Sequence, residues 1–443
     1  MPTRFPDGFR WGTAASAYQF EGGNTASDWW AWEQQPGRIL GGDRSGPACD
    51  WWQRAEADFD LMVGLHQNAL RLSVEWARLE PQEGCWDQAA EERYIEMLRG
   101  LRDRGIEPLV TLNHFTLPQW VAERGGWFWD GIVPAFGAFA GRFVRAVVGA
   151  GTEGQAGGRV GCGNAGRDAA PLVDLWITIN EPVAHLINAY VLGRFAPGHT
   201  SVVAFTRALV RSLTAHAAAY HAIHEEQPGA RVGVAAYLRP VVQANPCSPL
   251  DRWVARRLDH IVNWMYLDAL TTGVLVGPFG VRARVPQAAG TLDFLGVNYY
   301  TRSRVAFDLR RPGHLFVRDE PPPGATITDG GYSEIYPDGL LDVLRRVRGY
   351  GLPVYITENG LPDADDDLRP GFIVEHLRRV AQAIEEGCPV RGYYHWSLVD
   401  NFEWADGWSL RFGLYSLDPA TQVRTPRPSA ALYGEISRRG TLP

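Results

Sequence analysis

Two glutamates in this chain stand where apolar runs stop. Glu181 follows "DLWITIN" and precedes Pro182, and Glu358 follows "PVYIT" and precedes Asn359. A single carboxylate at the exit of a buried strand is usually an ion-pair partner or a helix cap. Two of them on similar strands suit a sharper chemistry, in which one donates a proton to a leaving oxygen and the other acts as nucleophile or base, as in glycoside hydrolysis. His114, Asn180, Asn298, Tyr300 and Trp396 close or lie near the ends of similar runs.

Eight short β-rich runs carry these residues, at 9–16, 68–76, 107–115, 172–180, 231–238, 291–300, 353–359 and 390–398. They lack in/out alternation, as expected of parallel strands covered on both faces. Between them lie segments of helical period, among them 50–65, 201–226, 250–272, 337–349 and 370–386, with Tyr94, Leu98 and Leu101 on one and Ile132, Phe136, Phe139, Phe143 and Val147 on another. The alternation predicts an α/β fold of the (β/α)8 TIM-barrel type, one catalytic domain over 1–443, with catalytic groups at the C-terminal strand ends. A doubly wound sheet is the competitor, but no Gly-rich phosphate turn follows the first strand. Pro182 is expected to end the fourth strand.

Three segments break the rhythm. The Gly-rich stretch at about 149–171 reads as a mobile insertion before strand 4, at the barrel end opposite the catalytic mouth. Residues 301–336 read as a long excursion on the mouth side. The acidic run at 363–367 reads as a solvated loop, because it lacks the Gly and terminal Glu of a calcium-binding EF-hand.

With a formal charge of −7 and no basic run, nucleic acid is not an expected partner. No basic leader followed by an apolar stretch opens the sequence, and no segment looks like an uninterrupted apolar twenty-mer, so a soluble, cytoplasmic protein with no membrane partner is expected. Five scattered cysteines without a C-x-x-C pair read as free thiols. His216, His221 and His224 share one predicted helix, but their spacing does not bring all three to one face, so no metal is expected there. Neither metal nor cofactor is implied elsewhere, and oligomeric state is not legible.

The chain resembles glycoside hydrolase family 1, the β-glucosidase and β-glycosidase family. The resemblance rests on "TINEP" at 178–182 and "ITENG" at 356–360, together with "FRWGTAASAYQFEGG" at 9–23, "LRLSVEWARLEP" at 70–81, "NHFTLPQW" at 113–120, "GRFAPG" at 193–198, "DFLGVNYY" at 293–300 and "HWSLVDNFEWADGWSLRFGLY" at 395–415. It implies a retaining, exo-acting β-glycosidase working on small β-glycosides and oligosaccharides through a covalent glycosyl-enzyme. Glu358 would be the nucleophile and Glu181 the acid/base, with Arg71 and Tyr300 holding Glu358 ionised and the charge on Glu358 keeping the proton on Glu181. The resemblance further implies that Asn180 meets the sugar 2-hydroxyl, that Gln19, His114 and Glu403 hold other hydroxyls, that Trp404 offers its indole N–H, that Trp396 stacks under the ring and that Asn298 supports this shell. It also implies a cis Trp396–Ser397 peptide.

Family members acting on 6-phosphoglycosides carry Ser, Lys and Tyr where this chain has Glu403, Leu410 and Phe412, so a phosphorylated sugar is not expected. Glu181 likewise separates the chain from thioglucoside-specialised members, which carry Gln there. Phe115, Val183 and "EGG" at 21–23 depart from the commoner family residues near the sugar and aglycone sites, which leaves glucose, galactose and fucose open. A transglycosylase on the same intermediate and a non-catalytic sugar-binding barrel are the alternatives. The second should have lost a glutamate, and both are present.

Overall fold

The structure, a computed structural model, describes residues 4–156, 171–311 and 315–443. Eight parallel strands close into a barrel: β1 (Arg10–Ala14), β2 (Ala69–Ser73), β3 (Glu107–Asn113), β4 (Leu175–Asn180), β5 (Arg231–Tyr237), β6 (Phe294–Tyr299), β7 (Val354–Asn359) and β8 (Val390–His395). Each pairs with its sequence neighbours, and β1 closes the ring against β8 through Arg10–Gly392 to Thr13–His395. Every expected run is found, most of them a few residues shorter. Their upper ends leave the ladder and bend over the rim, which is how His114, Tyr300 and Trp396 come to stand above the sheet.

The strands are buried throughout β2, β4, β6 and β7, which explains their continuous apolar character. Gly360, just past β7, shows how tight the rim is, since a Cβ there would lie 1.8 Å from the Trp396 carbonyl oxygen. Only glycine lets β7 and β8 converge at this level.

The major helices following the strands are α1 (Trp51–Gly64), α2 (Gln88–Asp103), α3 (Ile132–Ala156), α4 (Val202–Glu226), α5 (Pro249–Asp259, continued by Met265–Thr272), α6 (Pro337–Val347), α7 (Arg369–Glu385) and α8 (Pro428–Arg439). The expected single helix over 250–272 is interrupted by a wider π turn at His260–Trp264. Within it Asn263 Nδ2 and Trp264 Nε1 both donate to Asp259, at 2.7 and 2.8 Å.

Other expectations need correction. Helix α3 continues through Ala156, so the first residues of the supposed insertion are helical, and 157–170 lie outside the described residues. Within α3, Ile132–Gly151 is long and apolar enough to cross a membrane by composition, although no segment was expected to come close. Here it packs on the barrel: Phe136, Phe139, Phe143 and Val147 are buried, Phe139 stacks on Trp76 at 5.0 Å, and Arg145 pairs with Glu226. The 301–336 excursion contains strands. Ser303–Phe307 pairs with Val241–Gln243 on one side and Val317–Asp319 on the other, a small sheet beside the mouth. The acidic run is only half solvated. Asp363 and Asp366 are buried, Asp363 accepts from the backbone N–H groups of Leu368 and Arg369 at the start of α7, and Asp366 pairs with Arg369.

Candidate active site

Glu181 follows the last residue of β4 with φ +45°, a left-handed conformation that non-glycine residues rarely adopt. Its N–H donates to the Ala235 carbonyl at 2.7 Å, and Pro182 opens the helix Pro182–Tyr190. Proline serves there because a first-turn N–H has no helical partner and its fixed φ suits the helix. Pro182 therefore starts a helix rather than ending the strand, which stops at Asn180 before the left-handed turn at Glu181. Unfavourable backbone angles at such a turn are held by surrounding structure, and such positions cluster at functional sites.

Glu358 stands within β7, at a register shift against β6, and is 4% exposed. Arg71, fully buried on β2, donates to its Oε1, while Tyr300 Oη donates to Oε2 at 2.7 Å. Both carboxylate oxygens thus face donors, one of them cationic. The same guanidinium donates to Asn180 Oδ1 at 2.5 Å, the Thr357 carbonyl at 3.3 Å and Thr111 Oγ1 at 3.2 Å. One side chain therefore ties β2, β3, β4 and β7 together beneath the site.

Glu181 has different surroundings. Asn298 Nδ2 donates to its Oε1 at 2.8 Å and to Asn180 Oδ1 at 3.1 Å, and Thr357 Oγ1 donates to Asn298 Oδ1 at 2.6 Å. Burial and then the charge of Glu358 push the Glu181 carboxyl up to about 8, against weaker opposing effects of Asn298, Arg71 and Arg239. Near neutral pH Glu181 keeps its proton. Two carboxyl groups whose surroundings divide them in this way form an acid and a nucleophile.

Both glutamates line a cavity at the barrel mouth, with an empty volume of about 730 Å³ including its opening. Gln19, His114, Asn180, Tyr300, Trp396, Glu403 and Trp404 line it too. Arg71 and Asn298 lie buried beneath, outside the cavity wall, and Asn298 reaches the acid and Asn180. Gln19 Nε2 donates to Asn401 Oδ1, the Phe402 carbonyl and Glu403 Oε2 at 2.9, 2.9 and 3.1 Å. Burial, then Asp406, raises the Glu403 carboxyl well above the usual range. Burial keeps His114 neutral; with its Nε2 3.0 Å from the Asn180 amide, its Nδ1 has no protein partner. The Trp396–Ser397 peptide is cis.

Phe115, expected near the sugar, and Ala184 line it as well, and so do Tyr237, Tyr332, Asn188, Arg194, Phe195 and Asp406, which were not singled out from sequence. Tyr237 ends β5, so the strand-end rule reaches it. Tyr332 sits in the irregular excursion, where no periodicity marks it. His216 is committed to Thr178 and Thr291, at 2.6 and 2.8 Å, and His224 to Asp293 at 2.9 Å. Among the described residues Cys49, Cys85, Cys247 and Cys388 are unpaired.

A closed parallel barrel with an acid and an ion-paired carboxylate at its mouth defines a two-carboxylate glycoside hydrolase. Similarity gives the family. The sequence profile of glycosyl hydrolase family 1 matches residues 1–147 and 168–441, and the chain belongs to that family. It is similar to thermostable β-glucosidase B of Thermobispora bispora, 34% identical over 99% of this chain and 91% of the relative. It is also similar to a β-galactosidase of Pyrococcus woesei, 29% identical over 98% of this chain and 96% of the relative. The solved β-glycosidase from Pyrococcus horikoshii superposes with a TM-score of 0.89 at 36% identity, covering 100% of this chain and 97% of its own. The protein is a β-glycosidase acting on O-glycosyl bonds.

Proposed function

We propose that the protein releases non-reducing terminal β-D-glucosyl residues with retention of configuration, and that β-glucosides are its preferred substrates over galactosides and fucosides. The observation that carries the mechanism is the division of labour between the glutamates: Arg71 and Tyr300 donate to Glu358, while Glu358 and burial hold the proton on Glu181. Glu358 attacks the anomeric carbon as Glu181 protonates the departing oxygen. Esterification of Glu358 removes its negative charge, so the push on Glu181 disappears and Glu181 accepts a proton from the attacking water.

Asn180 is the contact to the 2-hydroxyl, oriented by Arg71 and His114. Gln19 and Glu403 form a joined acceptor and donor pair for the far hydroxyls, with Trp404 offering its indole N–H and Trp396 beneath the ring. Buried Leu410 and Phe412 supply no phosphate ligand, which supports an unphosphorylated sugar. The glucose preference is supported by the β-glucosidase among the relatives, beside a β-galactosidase. A cytoplasmic location belongs to the same reading and is supported by the unpaired cysteines.

Aryl β-glycosides differing at C4 and C6, assayed with NMR of the first-formed anomer, test all of this. The expected product is the β-anomer, fastest from glucosides. Net inversion, or undiminished turnover by Glu358→Ala, contradicts the mechanism; faster turnover of galactosides overturns the sugar preference. Product analysis at high sugar concentration separates hydrolysis from transglycosylation.

A further inference from the structure

The catalytic cavity opens into a second, wider pocket of about 1590 Å³ empty volume, and the two share Ala184, Asn188, Arg194, Tyr237 and Tyr332 in their walls. A ligand reaching outward past Glu181 enters it directly. The two compartments differ in charge. Glu181, Glu358, Glu403 and Asp406 line the inner one, with Arg194 and the neutral His114 beside them. Arg194, Arg239, Arg302 and Arg304 line the outer one against two carboxylates, Asp319 and Glu334. The outer wall thus gathers four guanidinium groups in a chain of formal charge −7.

Three of the four arginines are matched. Arg302 forms a fork with Glu334 at 2.8 Å, Arg194 meets Asp406 at 3.3 Å and Arg304 meets Glu320 at 3.7 Å. Arg239 differs: among the described residues no carboxylate comes within 4.0 Å of it. Its Nε is shielded from solvent and makes no hydrogen bond, and its guanidinium lies over the Tyr237 ring at 5.2 Å. It is also held in place. The Arg239 N–H donates to Asn263 Oδ1 at 2.9 Å and its carbonyl accepts from Asn263 Nδ2 at 2.8 Å, and Asn263 is anchored on Asp259 at the π turn. Burial opposes the Arg239 charge while Tyr237, Asp319 and Glu181 favour it, but no carboxylate among the described residues is close enough to fork onto the guanidinium, and that face is open to a ligand carboxylate.

We propose that the outer pocket receives the leaving half of the substrate and that Arg239 selects leaving groups bearing a single carboxylate. The proposal rests on the β-glycosidase reading above. Asp319, exposed on the same wall, disfavours a doubly charged phosphate in that place. A bound carboxylate also offsets the positive charge that opposes proton retention on Glu181, so recognition and acid catalysis work in the same direction.

The test uses the β-D-glucosides of 4-hydroxyphenylacetic acid and of its methyl ester, whose phenols leave with nearly equal ease. At low salt the wild type should favour the acid by about tenfold or more in kcat/KM, the scale of a charge-assisted hydrogen bond. That preference should shrink with added salt, collapse toward unity in Arg239→Gln and return in part in Arg239→Lys. Equal kcat/KM values for the pair in wild type overturn the proposal, as does a preference that survives in Arg239→Gln. If neither compound turns over, the β-glycosidase reading fails, and calorimetric binding of both to Glu358→Gln still decides the pocket. Tighter binding of the acid supports it and equal affinities reject it.

Discussion

Replacing Glu358 by Gln keeps the side chain's size and removes its charge, which isolates what holds the proton on Glu181. The carboxyl groups of a retaining pair stand about 5–5.5 Å apart. At an effective dielectric of about 20, unit charges at that separation interact by about 3 kcal/mol, or about two pH units of proton affinity. Glu181 stands at about 8 against an ordinary 4.5. Of that rise, about two pH units fall to Glu358, and burial supplies more, partly offset by Asn298, Arg71 and Arg239. In Glu358→Gln the Glu181 midpoint should therefore drop by about two pH units, and Arg71, left without its carboxylate, acts in the same direction. The assay is a 13C NMR titration of protein labelled at the glutamate carboxyl carbon, with Glu181 identified by the signal lost in Glu181→Gln. A midpoint in Glu358→Gln within half a pH unit of wild type, or above it, would refute the electrostatic account of the acid.

Asn298→Ala removes a hydrogen bond that lowers the Glu181 proton affinity, so the alkaline limb of kcat/KM should move to higher pH; a limb moving down contradicts the assigned partner. Tyr300→Phe deletes the 2.7 Å bond to Glu358 and should cost about tenfold to a hundredfold in kcat, the worth of a hydrogen bond to a charged group, with little change in melting temperature. Glu75, buried and accepting from Thr116, is pushed up to about 8 by burial and by Glu21. The folded state keeps its proton while the unfolded chain releases it above about 4.5, so this contribution to stability is lost as pH rises toward 8. The melting temperature of Glu75→Gln should fall less than that of wild type between pH 5 and pH 8, and parallel curves would rule the effect out.

The barrel and its two glutamates were legible because burial on both faces leaves a strand continuously apolar, so a carboxylate at its end stands out. Arg71 and Tyr300 were legible only through resemblance, since nothing in "LRLS" or "VNYY" says which of their neighbours meets Glu358. At Asn298 a strand-end amide could face the cavity or turn beneath it, and nothing in the sequence says that it reaches Glu181 and Asn180. Asp363 and Asp366 were misread because a run of acids carries no mark of the Arg369 that buries one of them. The small sheet around Ser303–Phe307 pairs segments far apart in sequence, and short edge strands of that kind leave almost no periodic trace. Arg239 escaped for another reason, since its significance lies in having no carboxylate close to its guanidinium among the described residues, which only three dimensions reveal.

The bond from Gln19 to Glu403 spans 384 positions of chain. During synthesis the ribosome therefore releases the sugar-binding wall in two instalments, one near the beginning and one near the end. The nucleophile and its guanidinium, 287 positions apart, meet in the same late interval. A growing chain consequently carries no working site until its eighth strand and the loop beyond have emerged, and the newborn protein begins to act on sugars only after almost all of it has been made.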